Sequence, residues 1–305
     1  MTKWAAMDQS LNTPTQLLHA LRTNNPTSPR LTWYGPDSER VEFSGRVLEN
    51  WVAKTANYLV DELDAETGTV IALDLPLHWR SLAWLLATWA VGATAATTSG
   101  IQTGTADDTA TSTPAGAAAP GALITGVELF SGADIVATAS PAQIHSLLTG
   151  AKSDPLVVAV ALPALQMRWM GELPPRTLDY SGEVRSHADV FFADAEPEPS
   201  DTAWQHTVLN NHTGAGTVVA GPTLGADTDK TDYAHLLTGG AQLLSIPGTE
   251  LPALPQRVLL QASHGWAAVV PDALKIWAAG GSVVLLGDGV LVSETLRASE
   301  NITLG

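Results

Sequence analysis

The chain has 305 residues, with 31 Asp and Glu against 15 Lys and Arg, so its net charge is −16. At about 150 residues per domain this length fits two domains or one large α/β domain, and 45% hydrophobic residues suffice for a sizeable core. So acidic a chain repels polyphosphate, which excludes a broad basic nucleic-acid face. With no cysteine there is no disulfide, no thiolate zinc site and no Cys nucleophile.

Residues 1–10 lack a basic segment followed by an apolar one, so no signal peptide is read and the cytoplasm is the expected compartment. Thr13 before Pro14 predicts a helix start, with Leu17, Leu18 and Leu21 on one apolar face. Leu31–Tyr34 and Arg40–Phe43, joined by Gly35-Pro36-Asp37-Ser38, read as a hairpin. Ser44 caps the next predicted helix, whose buried face is Val47, Leu48, Trp51, Val52, Thr55, Leu59, Val60 and Leu63. Val70–Leu75 is a predicted strand. Ser81–Ala106 carries no charge, and a membrane span needs about 20 apolar residues. Gly92, Gly100 and Gly104 interrupt the run, so a helix over Leu77–Val91 and a strand over Ala93–Thr97 are expected instead.

Strand and helix then alternate. Predicted strands are Ala133–Ala139, Leu156–Leu162, Arg257–Gln261, Ser282–Leu286 and Ile302–Leu304. Predicted helices are Pro141–Leu148, Thr177–Phe192, Asp232–Leu244, His264–Ala279 and Ser293–Ser299. This alternation points to an α/β fold: mainly parallel sheet layers flanked by helices. Thr103–Gly121 is a Thr/Ala/Gly/Pro-rich loop. Residues 186–229 contain no Lys or Arg, and the acidic, proline-bearing stretch 193–202 reads as a linker between lobes at 1–192 and 203–305. Trp51, Trp84 and Trp277 fall on predicted core faces.

Several segments together resemble the first part of the AMP-forming acyl-CoA synthetases. They are Arg40-Val41-Glu42-Phe43-Ser44, Trp51–Leu59, Thr69–Pro76 followed by His78-Trp79-Arg80, the Val91-Gly92-Ala93 helix end, and Arg257–Leu285 with His264-Gly265. The wording, including Ala161-Leu162-Pro163, Met167-Arg168-Trp169 and Gly171–Pro175, is closest to a short actinobacterial family related to those enzymes. The resemblance implies a fold like the first part of the synthetase large domain. It also implies a phosphate loop at the place matched here by Val208–Val219, where Thr213, Gly214, Gly216 and Thr217 keep its character.

That loop lacks the family's Pro-Lys step, and the nearest Lys downstream is Lys230. Adenylation builds negative charge on phosphates, which backbone N–H groups, a cation and Mg²⁺ must meet. Two readings are therefore open for 213–217: a shortened phosphate loop, or a tight glycine turn in a hairpin between Val208-Leu209 and Thr217–Ala220. The later Mg²⁺ ligand, ribose-binding Asp and C-terminal catalytic Lys of the family have no counterpart in the 305 residues. The resemblance puts His264, with Trp266, near the acyl side of the synthetase site; the bland alternative is a helix-start His packed near a sheet edge. No metal site is expected: Asp227, Asp229 and Asp232 lack a calcium loop's glycine and terminal Glu, and His206 and His212 are six apart.

The expected function is thus a degenerate, truncated homologue of an AMP-forming acyl-CoA synthetase. It would not adenylate alone and would bind a small carboxylic acid, a nucleotide or a protein partner. The alternative is an acid–CoA ligase of reduced activity completed by another chain, for which ATP and Mg²⁺ are the cofactors. A homo-oligomer that covers an apolar face is a third expectation; nucleic acid and membrane are not expected partners.

Overall fold

The computed structural model describes residues 11–99, 130, 132–152, 154–212, 223–237 and 256–304. The chain divides into two compact units: Met1–Val52 with Glu198–Asp201 and Asp232–Gly305, and Ala53–Pro197 with Thr202–Thr231. These units cut across the expected lobes at 1–192 and 203–305, because strands from the two ends of the chain share one sheet.

In the first unit, α1 (Pro14–Thr23) starts at a capping box: the Gln16 amide donates to Thr13 Oγ1 at 3.2 Å and the Thr13 amide to Gln16 Oε1 at 3.3 Å. The predicted hairpin forms as β1 (Pro29–Tyr34) and antiparallel β2 (Arg40–Ser44), joined by a 3₁₀ turn at Pro36–Ser38. β1 then pairs in parallel with β11 (Ser282–Leu286), which pairs in parallel with β10 (Arg257–Gln261), giving the order β10-β11-β1-β2. The helix between them, α6 (Trp266–Ala278), buries Trp266, Val269, Val270, Ala273, Leu274, Ile276 and Trp277. It ends in Gly280-Gly281, where a Cβ on Gly281 would lie 2.6 Å from the Gln256 carbonyl, so only glycine fits. The expected strand at Ile302–Leu304 is a single parallel bridge, Leu304 to Val258. α7 (Glu294–Ser299) precedes it.

The helix α2 (Gly45–Leu63) runs from the first unit into the second. Leu48, Val52, Thr55, Leu59 and Leu63 are buried as expected, but Val47 is 41% exposed and Trp51 and Val60 are half-buried.

The second unit holds a seven-stranded sheet. Its strands are β3 (Val70–Asp74), β4 (Thr94–Ser99), β5 (Ile135–Thr138), β6 (Leu156–Ala159), β7 (Thr177–Asp179), β8 (Thr202–His212) and β9 (Thr223–Asp232). Their order across the sheet is β7-β6-β5-β3-β4-β8-β9. Every pair from β7 through β8 is parallel. Between β3 and β4, every residue of α3 (Trp79–Val91) is buried, as a helix apolar on all sides must be. It stops at Gly92 (φ 86°), whose Cβ would come 2.8 Å from Thr67 Oγ1. Trp84 packs against Tyr58 and Tyr180 with centroids 6.4 and 4.9 Å away. The helix α4 (Pro141–Leu148) has its predicted bounds.

The expected helix Thr177–Phe192 does not form. Its first residues extend as β7, α5 (Tyr180–Glu183) is one turn, a 3₁₀ turn comes next at Val184–Ser186, and the rest is irregular. Sheet pairing of Val157–Ala159 with Thr177–Asp179 wins over the local helical pattern. Of the expected helix Asp232–Leu244, residues 233–237 are turn and the remainder lies outside the described residues. No described helix is long and apolar enough to cross a membrane.

The first unit closes on Glu300, which is 5% exposed. Its carboxylate accepts from Arg40 Nε at 2.8 Å, from the Tyr34 hydroxyl and from Arg257. Burial alone would raise its pKa, but these three donors outweigh that and hold it at about 2. A depressed carboxylate stabilises the fold fully above the unfolded pKa, and that stability is lost as pH falls from about 4.5 toward 2. Glu300→Gln is expected to lower stability by about 2 kcal/mol at pH 7 and to flatten the acid limb of a urea-denaturation series over that window.

Candidate functional site

Because β3 through β8 are parallel, their C-terminal ends line one edge of the sheet: Asp74, Ser99, Thr138, Ala159, Asp179 and His212. From β3 the chain moves to β4 on one side and then to β5 on the other, so its direction of winding reverses between β3 and β5. In open α/β sheets, ligands bind beyond the carboxyl ends of the strands at such a reversal. Here Thr138 Oγ1 donates to Asp74 Oδ2 at 2.6 Å and accepts from the Ser140 amide at 2.8 Å. Burial raises the Asp74 pKa, and the Thr138 bond pulls it partly back.

The segment after β3 explains His78-Trp79-Arg80. His78, 4% exposed, caps α3: its Nδ1 accepts from the Arg80 amide at 3.1 Å. Burial, with the Arg80 charge adding to it, lowers its pKa to about 3. Arg80 is 1% exposed and stacks on Trp79 with its guanidinium 4.7 Å from the ring centroid. One terminal nitrogen donates to Ser181 Oγ at 3.1 Å; the other faces the carbonyls of Pro163, Ala164 and Gln166 at 3.2, 3.3 and 3.5 Å. Asp179 holds the far end of this loop by accepting from the Trp169 and Gly182 amides at 2.8 and 3.1 Å. The two stretches singled out in the sequence, 75–80 and 161–171, are thus one structure.

On the other side of β3, Trp204 Nε1 donates to Thr97 Oγ1 at 2.9 Å. The hydroxyls of Thr97 and Ser99 meet the two ring nitrogens of His206 at 2.8 and 3.0 Å. His206 is 4% exposed, and burial lowers its pKa against the opposing pull of Asp229. Hydroxyls on both nitrogens satisfy the neutral ring, so His206, midway along β8, brings no positive charge there.

The four predicted phosphate-loop residues Thr213, Gly214, Gly216 and Thr217 lie outside the described residues, between the neighbouring strands β8 and β9. His264 is exposed on the 3₁₀ turn Ala262–His264 of the first unit. Trp266, 5% exposed, begins α6 and belongs to its buried face. Asp272 on the same helix has its pKa raised by burial, while the charges of Lys275 and His264 draw it down. Among the described residues, no three His, Asp or Glu side chains stand together as a metal site would need.

Sequence reasoning missed the Arg80 clamp, the Asp74–Thr138 pair and the hydroxyl clasp on His206. Each joins residues at least 64 positions apart through sheet order, and no local pattern encodes that.

No family model matches the chain. A Mycobacterium tuberculosis (strain ATCC 25618 / H37Rv) protein that bears a family designation without a named activity is 41% identical over 90 residues, which is 28% of this chain and 37% of that one. Among solved structures, an acyl-CoA synthetase of Brucella canis matches 96% of this chain and 46% of its own, with a TM-score of 0.63 and 19% identity. The fold is that of the first half of an acyl-CoA synthetase. A Mycobacterium tuberculosis fatty acyl CoA synthetase matches 97% of this chain and 49% of its own, with a TM-score of 0.59 and 15% identity. The luciferase-like enzyme of the mealworm Zophobas morio matches 97% and 60%, with a TM-score of 0.62 and 12% identity. The chain thus spans about half the length of these synthetases.

Two measurements probe the synthetase-like edge. Arg80→Lys keeps the charge but cannot fork to Ser181 and the loop carbonyls together, so it is expected to cost about 2–4 kcal/mol and to open the 163–170 loop to chymotrypsin, read by mass spectrometry. Because the His78 pKa is depressed on folding, its stability contribution is complete above about 6.5 and is lost as pH falls toward 3. His78→Asn keeps a capping oxygen without the titration, and is expected to shrink the stability loss between pH 7.5 and 5 by about 2 kcal/mol.

Proposed function

We propose that this chain is a binding homologue of the acyl-CoA synthetases that forms no acyl-adenylate by itself and holds a small carboxylic acid or a protein partner. The observation that carries this reading is electrostatic. No Lys or Arg occurs from residue 186 to 229, and Asp227 and Asp229 are exposed on β9 beside the strand that leads into 213–217. Neutral His206 adds no compensating charge. On β9 the side chains beside β8 offer a triphosphate the like charges of Asp227 and Asp229 and no cation before Lys230. These residues do not fit a triphosphate with Mg²⁺, so no adenylation step is assigned to them. By the general rule for open α/β sheets, the carboxyl ends of β3 and β5, at Asp74 and Thr138, are where a small ligand would sit.

The retained Thr213, Gly214, Gly216 and Thr217, in a chain spanning half a synthetase, favour a second reading: a CoA-ligase-like activity that another chain completes, with ATP and Mg²⁺. One experiment separates the two. With millimolar ATP and Mg²⁺, the first reading expects a melting-temperature shift under about 1 °C, whereas ligand at 100 times its Kd would stabilise by about 2.7 kcal/mol. It also expects no exchange of labelled pyrophosphate into ATP with fatty or aromatic acids. A clear shift, or exchange above background, would replace the first reading by the second.

A further inference from the structure

The amino ends of the large sheet carry a cavity of their own. It has a volume of about 230 Å³ and lies where β6 starts at Leu156 and β7 at Thr177, on the edge opposite Asp74 and Thr138. Its apolar walls are Leu148 at the end of α4, Pro155, Leu156, Val157 and Pro175. Leu148 is half-buried and packs on the core cluster that contains Ile144 and Val157, so the cavity reaches the hydrophobic layer beneath α4. Its polar lining is His145, Thr149, Asp154 and Arg176, all exposed. The Thr149 hydroxyl is committed to the His145 carbonyl at 2.9 Å.

Arg176 is held at this rim by a turn that disfavours it. The Thr177 amide donates to the Pro174 carbonyl at 3.2 Å and closes a four-residue turn, with Pro175 second and Arg176 third. Arg176 has φ 61°. Proline second and a positive φ third make a type II turn, whose third position suits glycine or asparagine. Arg176 donates to Asp154 Oδ2 at 2.5 Å, but the two side chains are 70% and 75% exposed. So solvated an ion pair contributes less than the left-handed backbone costs. Arg176 makes no other side-chain hydrogen bond among the described residues, so most of its five donors are free. Strain at the mouth of a cavity, unrelieved by the contacts it creates, points to a ligand.

We propose that this cavity binds a free apolar α-amino acid, its carboxylate on Arg176, its ammonium on Asp154 and its side chain against Leu148, Leu156 and Val157. Size sets the upper limit. Sites for drug-sized ligands run from about 300 to 1,000 Å³, so about 230 Å³ admits neither a nucleotide nor an acyl-CoA. Charge selects among smaller molecules. A simple carboxylate would meet Asp154 as well as Arg176, and a simple amine the reverse, whereas a zwitterion sets each charge against its opposite. The C-terminal end of α4 lies beside the cavity, and its partial negative charge favours the ammonium. The site is on the other edge of the sheet from the ligand position proposed above and does not depend on that reading.

The test is isothermal titration calorimetry of the full chain with L-leucine and with two probes that each lack one charge, 4-methylpentanoate and 3-methylbutylamine. L-Leucine is expected to bind with a Kd of about 1 mM or below, and each probe at least about tenfold more weakly. Arg176→Gly relieves the turn, so it is expected to keep or raise the melting temperature while weakening L-leucine binding at least about tenfold, a combination that a purely structural arginine would not give. No binding of L-leucine at about 10 mM overturns the proposal. So do a probe that binds as tightly as L-leucine and an Arg176→Gly variant that binds it unchanged.

Discussion

A single guanidinium organises the sheet edge. Arg80 sits in the first turn of a helix with no exposed face, and its charge is met by a hydroxyl and a fan of backbone carbonyls, with no carboxylate among those partners. Carbonyl dipoles compensate a buried cation only if they are fixed in place, so the loop from 163 to 166 has to adopt one conformation. Ser181 then passes the constraint onward, since its hydroxyl also accepts from the Ala161 amide at the end of β6. Helix start, strand exit and loop are set together.

The same edge separates what fixes a fold from what fixes an affinity. The parallel strands and the reversal between β3 and β5 belong to a fold shared with the first half of a synthetase. The reading proposed above turns instead on a few carboxylates of β9. Architecture depends on apolar burial and backbone pairing, which are indifferent to a few surface carboxylates; phosphate affinity depends on little else.

Elements whose boundaries rest on local chemistry are legible in the sequence. Thr13 with Pro14, the Gly35–Ser38 turn, the Pro141 start and the Gly92 stop each act within a few residues and appear where expected. The resemblance at 40–80 and 257–285 also points to the fold. The failures are non-local. Thr177–Asp179 shares a helical spacing with residues 180–192, but an open edge at β6 takes it as a strand. Val47 continues the apolar stripe of α2 on a helical wheel, yet that turn stays open to water. Composition marks linkers and so puts the lobe boundary at an acidic proline stretch, whereas sheet partnership decides the units. Of the candidate site, the motif 78–80 is visible as unusual, but its partner at 163–166 is not, because the contact depends on which strands are neighbours.

Strand β1 has its parallel partner, β11, about 250 residues downstream. At about 5–20 residues per second of synthesis, Leu31–Tyr34 therefore waits on the order of ten seconds or more for that partner to leave the ribosome. Until then the early hairpin has one strand edge unfilled, and the chain's opening residues are the last to be secured. The seven-stranded sheet has no such delay, since β3, β4 and β5 can assemble as they emerge. Nascent-chain quality control would thus encounter a molecule whose middle is finished while its beginning is still searching.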